Sequence, residues 1–172
     1  RQGIRARKSL WLNWEYLIAE DWAVAMHGKP SPQTDGTAKY FWLMGFDERS
    51  GGLLREKNYA ELIDFDIDAF RKRLRLPFKN APEWLLFGYR SPVWADWLRM
   101  WQDAGEPITL LLAGGQIIDS LKQASAIPSD CLTSDGDSLQ TGPVRLVRIP
   151  FVPQDEFDRL LHFSDGLIVR GE

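Results

Sequence analysis

From residue 83 onward, short apolar runs alternate with stretches whose apolar residues recur at helical spacing. This rhythm restricts the possible folds more than any other feature of the chain. The runs are 84–87 (WLLF), 108–112 (ITLLL), 144–149 (VRLVRI) and 167–169 (LIV). Ser91 and Pro92 open the first intervening helix, Ser as N-cap and Pro at the first helical position. Val93, Trp94, Trp97, Leu98 and Trp101 form its apolar face, and Gly105 ends it. Gly114 and Gly115 lead into a second helix carrying Ile117, Ile118 and Leu121. A third helix over 153–163 places Phe157, Leu160 and Leu161 on one face. Apolar strands that alternate with helices predict a parallel sheet covered on both faces, so the expected class is Rossmann-like α/β.

Right-handed crossovers place the carboxyl ends of all four strands on one edge, where open α/β sheets bind ligands. Those ends carry Gly88-Tyr89-Arg90, Ala113-Gly114-Gly115, Phe151 with Gln154, and Arg170-Gly171-Glu172. The rim therefore offers four aromatics (Phe87, Tyr89, Phe151, Phe157), an amide (Gln154) and a charged pair (Arg170, Glu172). Aromatics sandwich a base, and arginine forks onto a phosphate. The chemistry suits a nucleotide or nucleotide-sugar; the alternative is that these aromatics cap the core. The 172 residues stop where the fourth strand would pass to its next helix. The sequence is thus expected to be cut through a binding site and to belong to a longer protein.

Ahead of this region the signals are weaker. Residues 9–12 read as a short strand, 15–27 as a helix, 28–37 as a loop and 40–46 as a buried extended run. A helix over 66–76 is capped by Asp66, with Ile67, Phe70 and Leu74 as its stripe and Pro77 ending it. Residues 128–141 read as a polar loop.

Charge and cysteine content exclude several classes. A net charge of −3 argues against nucleic acid, which calls for a basic face. There is no run of about 18 apolar residues, so no membrane span is expected. A single cysteine, Cys131, fits a reducing cytoplasm. Asp64, Asp66 and Asp68 precede a helix and read as caps rather than metal ligands. Asp135 and Asp137 read as a plain turn, since the calcium-loop pattern is incomplete. Arg71, Lys72, Arg73 and Arg75 read as a solvated face, and His162 as lying on its helix's polar side. Glu15 and Glu20 read either as structural pairing or as lining an interdomain cleft, and neither His27 nor His162 has a Ser or Cys partner motif.

Several ordered motifs carry a resemblance. These are Trp11-Leu12-Asn13-Trp14-Glu15-Tyr16-Leu17 with Ala19-Glu20-Asp21-Trp22, and His27-Gly28 followed by Pro30-Ser31-Pro32. Lys39-Tyr40-Phe41 with Gly45-Phe46 comes next, then Gly51-Gly52-Leu53-Leu54-Arg55-Glu56. Phe87-Gly88-Tyr89, Phe151-Val152-Pro153-Gln154 and Arg170-Gly171-Glu172 complete the series. In this order they resemble the elongation factor P arginine rhamnosyltransferase (EarP) family over nearly the whole chain.

The resemblance implies a two-domain GT-B glycosyltransferase of the cytoplasm. Such an enzyme transfers L-rhamnose from dTDP-β-L-rhamnose to one arginine of translation elongation factor P, with inversion and without metal or cofactor. It implies that Phe87, Tyr89, Phe151 and Phe157 surround the thymidine, that Gln154 contacts it, and that Arg170 binds the diphosphate. Glu172 matches a glutamate required for activity. The family's proposed general base is an aspartate near the start of the N-terminal domain, which these residues lack, so the fragment is expected to be inactive alone. Residues 1–47 would be the tail of the acceptor-side domain, 48–80 a connector, and 81–172 the first half of the nucleotide-sugar domain. Competing readings are a non-catalytic nucleotide-binding module and another GT-B transferase.

Overall fold

The computed structural model describes residues 10–15, 21–30, 37–43, 52 and 57–169. The chain divides into two compact units, residues 1–57 and 58–172.

In the first unit, strands β1 (Leu10–Glu15) and β2 (Ala38–Leu43) pair in parallel, Leu10 opposite Ala38 and Asn13 opposite Phe41. Helix α1 (Asp21–Met26) lies between them in sequence. The loop after α1 folds back onto β2, where Gly28 N donates to Lys39 O at 2.8 Å. His27 Nδ1 accepts from Phe41 N at 3.2 Å. Of the strand expected over 9–12, residues 10–12 lie in β1, and of the run expected over 40–46, residues 40–43 lie in β2; residues 9 and 44–46 lie outside the described residues. Of the helix expected over 15–27, residues 16–20 lie outside the described residues.

The second unit opens with helices α2 (Tyr59–Ile63) and α3 (Ile67–Arg73). Asp66 caps α3 as expected, its side chain accepting from Ala69 N at 2.9 Å. The stripe differs: Phe70 and Leu74 are buried, but Ile67 is exposed, because only the later turn of so short a helix meets the sheet. The helix stops at Arg73 before Pro77 acts, closed by a backbone bond from Leu76 N to Arg71 O and by Arg75 at φ 56°.

Five strands follow: β3 (Glu83–Phe87), β4 (Ile108–Ala113), β5 (Ser138–Thr141), β6 (Val144–Ile149) and β7 (Gly166–Val169). Helices α4 (Val93–Ala104), α5 (Gln116–Gln123) and α6 (Gln154–Phe163) connect them. The sheet order is β5-β6-β4-β3-β7, and the four expected strands are mutually parallel. β5 is an addition: it runs antiparallel to β6 at the sheet edge, Thr141 opposite Val144, inside the stretch expected to be a loop.

Every residue of the central β4 is buried, as a strand covered on both faces requires. The pleat divides the core in two. Leu86, Leu110, Leu112, Val144 and Leu146 pack with Trp94 and Leu98 of α4 and Ile117, Ile118 and Leu121 of α5. Leu85, Leu111, Val147 and Ile149 pack on the other face with Phe70 of α3 and Leu160 of α6. Val93, expected on the apolar face of α4, is exposed, whereas the adjacent Trp94 is buried. The helix opens as expected: Pro92 takes helical dihedrals, and Ser91 Oγ accepts from Val93 N at 3.4 Å.

Candidate functional site

The chain leaves β3 and β4 toward one face of the sheet and β6 toward the other. A crevice at the carboxyl edge follows from that divergence. Two clefts of about 300 Å³ each open there. Phe87, Ala113 and Phe151 line both, so Phe151, which is 78% exposed, stands as a wall between them.

The first cleft is an aromatic slot. Phe87 at the end of β3 meets Phe157 of α6 edge-on, with ring centroids 5.3 Å apart, and lies 6.2 Å from Phe151. Val152, Pro153 and Gln154 form its far side. Gln154 is fixed from within its own helix, donating from Nε2 to Asp158 Oδ1 at 2.9 Å, which leaves its amide oxygen as the polar feature of the slot. Phe157 also packs against the core, so it is both a core residue and a cleft wall.

The second cleft is built mainly from backbone and one phenol. Gly88, Tyr89, Gly114, Gly115 and Gln116 surround it. Gly88 is required for its shape: a Cβ there would come within 2.7 Å of the Trp94 indole. That indole holds the loop by donating from Nε1 to Tyr89 O at 2.9 Å. Among the described residues, none that lines either cleft is charged, and the amino ends of α5 and α6 both face this edge, a setting that favours an anion over a cation.

Five of the rim residues expected from sequence, Phe87, Tyr89, Phe151, Gln154 and Phe157, therefore converge on one crevice. Arg170 and Glu172 lie outside the described residues. Sequence reasoning overlooked Gln116. Its only signal was its place directly after Gly114-Gly115, at the opening of a helix.

A larger open groove of about 560 Å³ lies near the opposite edge, beside Arg71, Lys79 and His162. Two of its cations, Arg71 and Lys79, have carboxylate partners. Arg71 forks onto Glu83, which is 1% exposed, with Nη2 at 2.8 Å from Oε1, and also donates to Pro77 O at 2.6 Å. Arg71 is thus not on a solvated face as expected: a buried carboxylate at the start of β3 draws it inward. Lys72, Arg73 and Arg75 are exposed as expected, and Arg73 pairs there with Glu156. The hydrogen bond to Glu83 raises the guanidinium's pKa against the opposing effect of burial. Lys79 pairs with Asp165 at 2.8 Å. The Glu83 backbone N–H, and then Lys79, hold the Asp165 carboxyl below its ordinary pKa. In the loop before β5, the Ser134 N–H chiefly lowers the pKa of Asp137, which closes the expected turn. His162 is exposed, as expected.

The class so defined is a Rossmann-like α/β domain of the GT-B type, with a ligand-sized aromatic crevice at its carboxyl edge. The profile of a family described as Elongation-Factor P (EF-P) rhamnosyltransferase EarP matches residues 1–172, and the chain belongs to that family. A protein-arginine rhamnosyltransferase from Neisseria meningitidis is 63% identical over 169 residues, covering 98% of this chain and 44% of that protein. One from Pseudomonas aeruginosa is 36% identical, covering 100% of this chain and 47% of that protein. The chain therefore spans less than half the length of these curated relatives. A solved structure, from work on EarP-mediated arginine glycosylation of translation elongation factor EF-P, matches with a TM-score of 0.60. At 23% identity, over 96% of this chain and 68% of that one, it shares the fold. Among the described residues, no helix is long and apolar enough to cross a membrane.

Proposed function

We propose that this chain is part of a cytoplasmic protein-arginine rhamnosyltransferase and carries the first half of its nucleotide-sugar domain. On this reading L-rhamnose passes from dTDP-β-L-rhamnose to an arginine of translation elongation factor P, with inversion and without metal or cofactor. The observation that carries the reading is the pair of aromatic-walled clefts at the carboxyl edge, lined by Phe87, Tyr89, Phe151, Gln154 and Phe157. The names of the relatives support the reaction class. The slot between Phe87, Phe151 and Phe157 would take the thymine, Gln154 its polar edge, and Tyr89 the neighbouring sugar. Residues 81–172 would then belong to the donor-side domain, residues 1–47 to the acceptor side and 48–80 to the connector.

The chemistry asks for two further things. A guanidinium is protonated near neutral pH and must be oriented by a carboxylate before it attacks. Charge gathering on the departing diphosphate needs a cation, which is the role proposed for Arg170. Glu172 is proposed to act in turnover beside the diphosphate.

The full-length protein, mixed with dTDP-rhamnose and elongation factor P, should raise the acceptor mass by one deoxyhexose. No mass change would sink the proposal. Glu172→Ala should spare dTDP binding more than turnover, and equal loss of both would remove its special role.

A further inference from the structure

The loop that carries Tyr89 is held by one face of α5. Gln116, Asp119 and Ser120 share that face at i, i+3 and i+4. Gln116 Oε1 accepts from Arg90 N at 3.2 Å, and Asp119 Oδ2 accepts from Arg90 Nη2 at 2.6 Å. Ser120 Oγ accepts from Ser91 N at 3.1 Å and donates to Gln116 O at 2.9 Å. Ser120 is 6% exposed and sits among Ile117, Ile118 and Leu121. A buried hydroxyl needs partners, and the acceptor half of its capacity serves this loop. Three bonds from one helix, opposed by the Trp94 indole on the other side, thus clamp residues 89–91.

We infer that Ser120 and Asp119 are positioning residues for the nucleotide: by clamping residues 90–91 onto α5 they set where Tyr89 stands opposite Phe151. Neither residue lines the cleft, so neither touches the ligand; they act through the loop. The inference rests on the nucleotide-sugar reading above and extends it from the walls of the cleft to what holds one wall in place. A ligand that slips between Tyr89 and Phe151 needs that spacing before it arrives, because ordering a loose loop on binding costs affinity.

The test uses the full-length protein with Ser120→Ala, Asp119→Ala and Ser120→Thr. Hydrogen–deuterium exchange follows residues 88–91, calorimetry follows dTDP, and steady-state transfer separates KM from kcat. Ser120→Ala should speed exchange in the loop and weaken dTDP by about five- to tenfold. Asp119→Ala, an exposed pair, should weaken it by about two- to fivefold. kcat should stay within about twofold in both, since the reacting atoms are elsewhere. Ser120→Thr keeps the hydroxyl and should restore slow exchange and affinity together. Faster exchange with unchanged dTDP affinity overturns the inference, as does unchanged exchange in both alanine variants. Slow exchange restored by threonine without recovery of affinity also overturns it. A wild type that binds no dTDP overturns the donor-site reading, and the inference falls with it.

Discussion

Removing Arg71 should cost this fold more than its partly solvated position suggests. Its partner Glu83 is 1% exposed, whereas Arg71 is 12% exposed. Arg71→Met keeps most of the stem packing and deletes the fork on both carboxylate oxygens and the bond to Pro77 O. An uncompensated carboxylate then remains at the head of β3. Breaking a buried pair from one side costs about 3–5 kcal/mol, or roughly 6–20 °C in Tm for a chain of this size. Arg71→Lys, which keeps the charge but not the fork, should lose about 1–3 kcal/mol. Arg71→Met with Glu83→Leu removes both ions and should recover most of the loss. Urea unfolding followed by tryptophan fluorescence gives the four corners of a double-mutant cycle. A loss below about 1 kcal/mol for Arg71→Met would refute the reasoning, and so would a double variant as unstable as the sum of its parts.

Three shorter predictions accompany this one. Phe151→Ala should change stability by less than about 0.5 kcal/mol, since the ring is 78% exposed. It should nevertheless weaken dTDP in calorimetry by about 1–3 kcal/mol, the worth of one base stack, and unchanged affinity would remove Phe151 from the site. Gly166→Ala places a Cβ 2.3 Å from the Trp84 ring, so thermal melts should show a loss of about 1–3 kcal/mol or more, with an altered near-UV spectrum. The folded pKa of Asp165 is depressed, so its contribution is full above the ordinary carboxylate pKa near about 3.9 and disappears as pH falls through the lower folded value. Asp165→Asn should flatten that acid limb; an unchanged limb would show that the carboxylate is not its source.

The parallel core was legible because its two central strands are apolar through most of their length. Residues 84–87 and 108–112 have little alternative to burial between two layers of helices, and the structure places them side by side at its centre. Local chemistry marked Asp66 as a cap and Gly105 as a left-handed stop, because both act within one helical turn. The rim was legible by the same logic: parallel strands put their ends together, and Phe87, Tyr89, Phe151 and Gln154 stand at those ends.

Other features depended on partners far along the chain. β5 carries the polar sequence SLQT and is a strand only because β6 offers it an open edge, so periodicity had nothing to register. Arg71 and Arg73 look alike in sequence; one turns inward to Glu83 and the other across to Glu156. Ser91 reads as a cap for its own helix and is one, but nothing local shows that its own N–H is held by Ser120, 29 residues later. Burial and local propensity act over a few residues and can be read from their order. The pairing of charges, the closure of a sheet edge and the clamping of a loop depend on which elements the topology brings together.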